Sequence, residues 1–194
     1  MRTLTYARAI GEAYAQILLN DPRALVIGRN LAGVEHEFSR DRMIDSPASE
    51  NATTGLAALD RIFNQAANWS NLFQGGVSEP LVIRAVIGRG SEQGSQHSPA
   101  FHAMFMHVPG LKVVMPSTAF DAKGLLIAAL EDPDPVLYID DRSLHGTAGP
   151  VPEEMYRVEI GRAAVRRPGR CRRQPRGFWP DGARVCWPGA DEGA

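Results

Sequence analysis

A chain of 194 residues is long enough for one hydrophobic core, or for one domain with a tail. Its 44% hydrophobic and 22% charged residues are ordinary for a globular protein, and its formal net charge of -1 offers no basic surface to nucleic acid or to an anionic membrane. No apolar run approaches the ~20 residues that a bilayer-spanning helix needs, and the N-terminus has no signal-peptide core, so we expect a cytoplasmic protein.

Helical and strand patterns alternate along the chain. Helices are predicted over residues 5–20, 52–69 and 119–131, and Ser117 is the predicted cap of the third helix. Strands are predicted over residues 24–27, 81–87, 111–115 and 136–139, and residues 136–139 are expected to be the last strand of the fold. Strands that alternate with helices predict an α/β fold, with an open, mostly parallel sheet and helices on both of its faces.

Residues 41–50, DRMIDSPASE, combine a short apolar run with the start of a helix. Pro47 interrupts regular structure, Ser49 is a good N-cap, and Glu50 then stands in the first helical turn. A carboxylate that follows a strand in this way lies where open α/β folds bind ligands. The alternative from spacing alone is that Glu50 only complements the helix dipole.

The loop of residues 88–98, GRGSEQGSQHS, contains His97. A loop histidine is most simply a solvated one, and the spacing of five between His97, His102 and His107 prevents them from sharing one helix face, so a histidine metal site is disfavoured. The glycines of the loop lack the Gly-x-Gly-x-x-Gly register of dinucleotide-binding loops. The chain also has no Gly-Lys-Ser/Thr, which a P-loop requires, so neither kind of phosphate-binding loop is indicated. The two cysteines are Cys171 and Cys186, both near the end of the chain, which excludes a disulfide framework in the body.

Several stretches together carry a family resemblance. They are RMIDSPASE (42–50), ALDRIFNQAANW (58–69), QHS (96–98), HVPGLKVVMP (107–116), DAKGLL (121–126) and GRAAVRRPG (161–169). In this order they resemble the β subunits of thiamine-diphosphate-dependent 2-oxo acid dehydrogenases, the pyruvate, branched-chain and acetoin dehydrogenase group of the transketolase-like superfamily. The resemblance covers most of residues 1–165.

The resemblance implies particular roles for particular residues. Glu50 would bind the cofactor by a hydrogen bond to the aminopyrimidine nitrogen of thiamine diphosphate, which helps to remove the thiazolium proton, and His97 would face the active-site channel and exchange protons with intermediates. At the end of the last predicted helix the family holds a structural monovalent cation, potassium. Its positions in this chain are Ala129, Leu130, Asp132 and Asp134, for which a plain helix C-terminus and turn is the alternative.

The chain lacks the Gly-Asp-Gly segment through which thiamine enzymes bind diphosphate and Mg²⁺. The resemblance therefore implies an α subunit that holds the Mg²⁺ and the diphosphate end of a shared cofactor, in a heterotetramer. Its further partners would be a small 2-oxo acid substrate, such as pyruvate, and a lipoyl-bearing acyltransferase that accepts the acyl unit. The rival hypothesis is a non-catalytic remnant that acts at most in subunit association, because the pattern is shortened after residue 57, where the family has a further strand and an aromatic residue that stacks on the cofactor.

Three regions are expected along the chain. Residues 1–145 would form the pyrimidine-binding domain and residues 146–169 an extended connector. The Arg-, Pro- and Gly-rich residues 170–194 would form a tail that is either naturally disordered or translated out of frame. They do not resemble the C-terminal α/β domain of the family.

Overall fold

A three-stranded parallel sheet forms the centre of the folded body, which ends at Ile160. The structure, a computed structural model, describes residues 2–28, 43–45, 59–76, 80–87 and 100–162. Strands β4 (Val82–Ile87), β5 (Lys112–Val114) and β6 (Val136–Asp141) are arranged in the order β4-β6-β5, with Val82 and Lys112 both in register with Val136. The predicted parallel α/β fold is confirmed.

Both faces of this sheet are covered. All six residues of β6 are buried, and they alternate between two apolar clusters: Val136 and Tyr138 face one, while Leu137 and Ile139 face the other. The first cluster includes residues of helices α1 (Tyr6–Asn20) and α5 (Ala119–Leu130). The second includes Ile62 of α2 (Arg61–Ala66) and Phe105 of α4 (His102–Met106). A strand that is apolar on both sides is what a doubly covered parallel sheet requires.

Helix α1 follows its predicted pattern closely. The Thr5 side chain accepts a hydrogen bond from the Arg8 amide at the N-terminus, and the helix ends at Asn20, with Asp21 as its C-cap before Pro22. Its apolar residues at three- and four-residue spacing are all buried; they are Ile10, Ala13, Tyr14, Ile17 and Leu18. Burial of each large aliphatic side chain stabilises the fold by about 1.5–3 kcal/mol.

The other two predicted helices need corrections. The N-cap of α5 is Thr118 rather than Ser117, because the Thr118 hydroxyl accepts from the Asp121 amide and donates to the Asp121 carboxylate. Of the helix predicted over 52–69, residues 52–58 lie outside the described residues. The remainder is a wide π-helical turn, α2, followed by the short α3 (Trp69–Leu72).

A second parallel pair joins β2 (Val26–Gly28) to β3 (Met43–Asp45), with Gly28 opposite Asp45. The predicted strand at 24–27 is thus found, shifted by one to two residues. Strand β3 is formed by the apolar run that precedes Glu50 in the sequence.

An antiparallel pair was not predicted. Strand β1 (Arg2–Thr5) pairs with β7 (Ala148–Val151), so the prediction that residues 136–139 form the last strand is wrong. Beyond β7 the chain runs along α5, where the Tyr156 hydroxyl donates to the Phe120 carbonyl at 2.7 Å and the Val158 amide donates to the Gly124 carbonyl at 3.1 Å. We call residues 152–158 the strap.

The compact body extends to Ile160 and the remaining residues form a separate unit. Residues 146–160 of the predicted connector pack within this body, and the predicted tail, 170–194, lies outside the described residues. The helices that the structure describes are all too short or too polar to cross a membrane.

Candidate functional site

The two predicted catalytic residues, Glu50 and His97, lie outside the described residues, but the strands that lead to them are described. Strand β3 ends at Asp45, five residues before Glu50, and β4 ends at Ile87, ten residues before His97. Both are parallel strands, and in the sequence each predicted residue follows the carboxyl end of its strand. Ligands of open α/β folds bind outside the carboxyl ends of the strands, so this topology suits the predicted roles, which stay predictions.

The described part of the chain has a buried charged cluster near the carboxyl end of β6. Arg84 of β4 forms a bidentate ion pair with Asp140, with Nε–Oδ1 and Nη2–Oδ2 distances of 3.0 Å. The Asp140 side chain is 0% exposed. Parallel pairing places Arg84 opposite Tyr138, two residues before Asp140, which lets the long guanidinium side chain reach forward along the same face.

His145 completes this cluster. Its Nε2 atom lies 2.6 Å from Oδ2 of Asp140, and its ring stacks on that of Tyr6 with centroids 6.0 Å apart. A tight turn directs it there, because the Asp141 carboxylate accepts hydrogen bonds from the amide and hydroxyl of Ser143 and so initiates the helical turn Arg142–Leu144.

The electrostatics of the cluster keep Asp140 ionised. Burial alone would raise the pKa of the Asp140 carboxyl, but the hydrogen bond to His145 and the Arg84 guanidinium together hold it below its ordinary value. Burial likewise disfavours the charged form of Arg84, yet the neighbouring carboxylate raises the pKa of the guanidinium. Desolvation raises the pKa of Tyr6, Tyr14 and Tyr138.

A carboxylate with a lowered pKa and with both oxygens bonded is a poor proton acceptor, so Asp140 is suited to orient Arg84 and His145. This cluster was not predicted from the sequence. Its available signals were an arginine within the otherwise apolar run LVIRAVI and an Asp-Asp pair directly after an apolar strand.

The predicted cation residues lie together at the end of α5. The Ala129 carbonyl accepts from the Asp132 amide at 3.3 Å, and Oδ1 of Asp132 accepts from the Asp134 amide at 2.9 Å. Lys112, for which no such role was predicted, places its ammonium between the two carboxylates. Within the described residues, this turn included, no three His, Cys, Asp or Glu side chains are grouped to hold a metal ion.

Comparison with known proteins identifies the domain. Residues 59–146 match the family model of the transketolase pyrimidine-binding domain. These residues have the transketolase-like pyrimidine-binding fold. The matched range includes the central sheet, α4, α5 and the Arg84–Asp140–His145 cluster, so that cluster is part of the pyrimidine-binding domain itself.

The relatives of this pyrimidine-binding domain confirm the predicted resemblance. The chain is 35% identical to the acetoin:2,6-dichlorophenolindophenol oxidoreductase subunit beta of Cupriavidus necator, over 87% of this chain and 62% of that protein. It is 33% identical to the pyruvate dehydrogenase E1 component subunit beta of Rhizobium meliloti, over 88% of this chain and 44% of that protein. A mitochondrial counterpart from Drosophila melanogaster is 32% identical over 87% of this chain and 56% of its own length.

The chain spans at most about three fifths of the length of these relatives. The alignment with the Cupriavidus protein is 210 residues long but uses 87% of the 194 residues here, or about 169, so about forty positions of that relative have no counterpart in this chain. Among solved structures, an inactive β4 tetramer of a split-gene transketolase matches 82% of this chain and 57% of its own, with a TM-score of 0.52 and 18% identity. That match confirms the fold.

Proposed function

We propose that this chain is the β subunit of a thiamine-diphosphate-dependent 2-oxo acid dehydrogenase and supplies the aminopyrimidine-binding side of its active site. The observation that carries this proposal is the similarity of 87–88% of the chain to pyruvate dehydrogenase E1 subunits named beta, one bacterial and one mitochondrial. The cytoplasmic location stays a prediction.

The residues present suit one end of the cofactor. Glu50 follows a parallel strand at its carboxyl end, where a desolvated carboxyl could hydrogen-bond a ring nitrogen, whereas the sequence has no Gly-Asp-Gly segment for a metal-bound diphosphate. The diphosphate and its Mg²⁺ would therefore be held by an α subunit. When bound, the cofactor would supply carbanion chemistry for the decarboxylation of a 2-oxo acid. Glu50 would hold a proton at the pyrimidine nitrogen, and His97 would exchange protons with the reacting groups.

The second candidate is a non-catalytic remnant that at most associates with a partner subunit. It is favoured by the roughly forty positions of the Cupriavidus relative that are absent here, since that relative aligns over 210 of its residues to about 169 of this chain. The two hypotheses predict the same fold and the same assembly but opposite outcomes in a turnover assay.

The test is co-expression of the full chain with the α subunit of an acetoin or pyruvate dehydrogenase. We expect the two chains to copurify, to bind thiamine diphosphate with Mg²⁺ in calorimetry, and to reduce 2,6-dichlorophenolindophenol in the presence of pyruvate or acetoin. The chain alone should show no measurable binding of the cofactor. Copurification without binding or turnover would favour the remnant.

Glu50→Gln tests the role of the carboxyl group. In an active complex it should lower turnover by well over tenfold, equivalent to more than about 1.4 kcal/mol in the barrier, while copurification persists. Glu131→Gln, at an exposed glutamate that pairs with Arg157, is the matched control and should retain full turnover. Turnover of Glu50→Gln within tenfold of the native complex would contradict the assignment.

A further inference from the structure

The two edges of the central sheet differ in how well they are protected from further pairing. Strand β5 forms one edge, is three residues long and begins with Lys112, and short length and lysine both discourage the addition of a strand. Strand β4 forms the other edge and is six residues long, with the sequence VIRAVI. Among the strands that the structure describes, β4 pairs only with β6, so the backbone groups on its second edge have no partner strand there.

The sequence of β4 has none of the features with which natural sheets protect an edge. It contains no lysine, proline or glycine, and four of its six residues are β-branched. Every residue of β6 is buried, whereas β4 buries only Ile87 fully, and Leu81 immediately before the strand is 37% exposed. A strand of this length, rich in β-branched residues and with an open edge, is typical of segments that pair with a further strand.

The single charge of β4 does not guard this edge. The Arg84 guanidinium reaches toward the neighbouring strand β6, where it donates to both carboxylate oxygens of Asp140 at 3.0 Å. Its positive charge is therefore neutralised within the same chain and on the side away from the open edge. A strand that adds to this edge meets no unpaired charge from β4, and its apolar side chains continue a surface that is already apolar.

We propose that the open edge of β4 is covered by β4 of a second copy of this chain, in an antiparallel pair across a two-fold axis. A two-fold axis perpendicular to the sheet makes the two edge strands antiparallel, and the contact closes at two copies because each uses the same surface. The central sheets of the two copies then form one continuous sheet. This proposal is independent of the proposed enzymatic activity, because it concerns the chain without any other subunit.

The register of the pair follows from the side chains. Residues directly opposite each other in antiparallel strands point to the same face, so the axis must pass through a residue, and the middle of β4 offers Arg84 or Ala85. An axis at Arg84 would place two guanidinium groups opposite each other, which is unfavourable. An axis at Ala85 instead places Ile83 opposite the partner's Ile87 and Arg84 opposite the partner's Val86.

The register centred on Ala85 also continues the packing of each copy. Ile83, Ala85 and Ile87 belong to the apolar cluster on one face of the sheet. In this register the same three residues of the two copies are cross-strand neighbours, so the two clusters meet along the axis. The strand is thus complementary to itself, which is why we assign the edge to a second copy of this chain.

The first test is analytical ultracentrifugation of the purified full chain, without any other subunit, over a wide range of protein concentration. We expect an equilibrium between monomer and dimer with no larger species. Ala85→Lys places two ammonium groups at the axis and should weaken the dimer by at least about tenfold. Leu19→Lys is the matched control, because Leu19 is 76% exposed on α1 and its substitution should leave the dimer unchanged. A native chain that stays monomeric, or that forms larger species without a dimer, would overturn the proposal.

Crosslinking tests the register, and it decides if Ala85→Lys does not fold. In a chain that also has Cys171→Ser and Cys186→Ser, Ala85→Cys should be joined to its counterpart by a short bismaleimide, since Cβ atoms directly opposite lie about 4.5–5.5 Å apart. Leu81→Cys is the matched control, because it lies four residues from the axis in each copy and its two thiols would be roughly 26 Å apart. Crosslinking at Leu81→Cys without crosslinking at Ala85→Cys would overturn the register.

Hydrogen exchange distinguishes a second copy from another occupant. Alternate amides of β4, those that point away from β6, should exchange more slowly as the concentration of the chain alone is raised. If they are protected only in a complex with an α subunit, that subunit covers the edge and the proposal is wrong.

Discussion

Substitution of Lys123 by methionine should detach the strap from the body. Lys123 lies on α5 and its side chain is 0% exposed. Its Nζ atom contacts the Glu12 carboxylate at 2.6 Å and the backbone carbonyls of Pro152, Glu153 and Glu154 at 2.9, 3.2 and 2.7 Å. One ammonium group therefore joins α5 to α1 and to the first residues of the strap.

The expected loss in the free energy of unfolding follows from the buried groups that lose the Lys123 ammonium as a partner. Methionine has similar length and no charge, so three carbonyl oxygens and one carboxylate lose a charged donor at once. Removal of one partner from a buried ion pair costs about 3–5 kcal/mol. Glu12 keeps a second partner in Arg2, so its residual penalty is small and the lower part of that range is expected. For a chain of this size, a loss of about 3 kcal/mol lowers the melting temperature by roughly 6–12 °C.

Urea unfolding and hydrogen exchange would measure this prediction. We expect Lys123→Met to lose about 3 kcal/mol in the free energy of unfolding. The Val158 amide, which donates to Gly124, should exchange faster than in the native chain. Arg23→Met is the control, because Arg23 forms an exposed pair with Asp21 and such pairs contribute at most about 1 kcal/mol. A loss below about 1 kcal/mol in Lys123→Met, with unchanged exchange at Val158, would refute the argument.

Three further predictions concern the body. Arg84→Met leaves the buried Asp140 without its guanidinium partner, so it should lower the free energy of unfolding in urea by about 3–5 kcal/mol. Addition of Asp140→Leu to this variant should recover much of the loss, and no recovery would contradict the ion-pair argument. The folded-state pKa of Asp140 is depressed, so its contribution to stability is complete above the unfolded carboxyl pKa of about 3.9 and is lost as the pH falls further. Asp140→Asn should therefore lose stability less steeply than the native chain below about pH 4. An unchanged acid transition would count against this assignment. Gly124→Ala should destabilise the fold by about 1–3 kcal/mol, because its Cβ would lie 2.5 Å from Val158 and 2.7 Å from the Tyr156 ring. Gly146→Ala is the control, since its Cβ would meet no atom within 4 Å. Equal stability of the two variants would contradict the packing argument.

Most of the central architecture could be predicted from the sequence. Helix α1 and strand β4 have strong local signals, namely a buried stripe at three- and four-residue spacing and a run of β-branched residues between Pro80 and a glycine. The strands β5 and β6 have turn signals on both sides, so their limits are close to the predicted ones. The order β4-β6-β5 needs the pairing itself, which the sequence does not contain in local form.

The pair β1–β7 shows why some elements of the fold were not predicted from the sequence. Its sequences, RTLT and AGPV, are short, and the second contains glycine and proline, which local propensity counts against a strand. They pair because β7 runs back past the N-terminus of α1, where the Tyr6 amide donates to the Thr147 carbonyl at 2.8 Å. The Arg84–Asp140 pair was missed for the same reason: its partners are 56 residues apart and meet only through strand register. The candidate site was predicted from the resemblance, and Glu50 and His97 stay predictions.

The motif DAKGLL illustrates how a family resemblance can reflect packing rather than chemistry. Asp121 closes the N-terminal cap with Thr118, Lys123 binds the strap carbonyls, and Gly124 leaves room for Val158 and Tyr156. The glycine of HVPGLKVVMP is also explained by packing: Gly110 has φ +85°, and a Cβ there would lie 2.1 Å from the Ala67 carbonyl at the end of α2. These residues need one another's positions, so a chain that keeps both motifs keeps the geometry of α5, the strap and α2. For this reason the motifs are strong evidence for the fold, whereas the evidence for catalysis must come from Glu50 and His97 in an assembled complex.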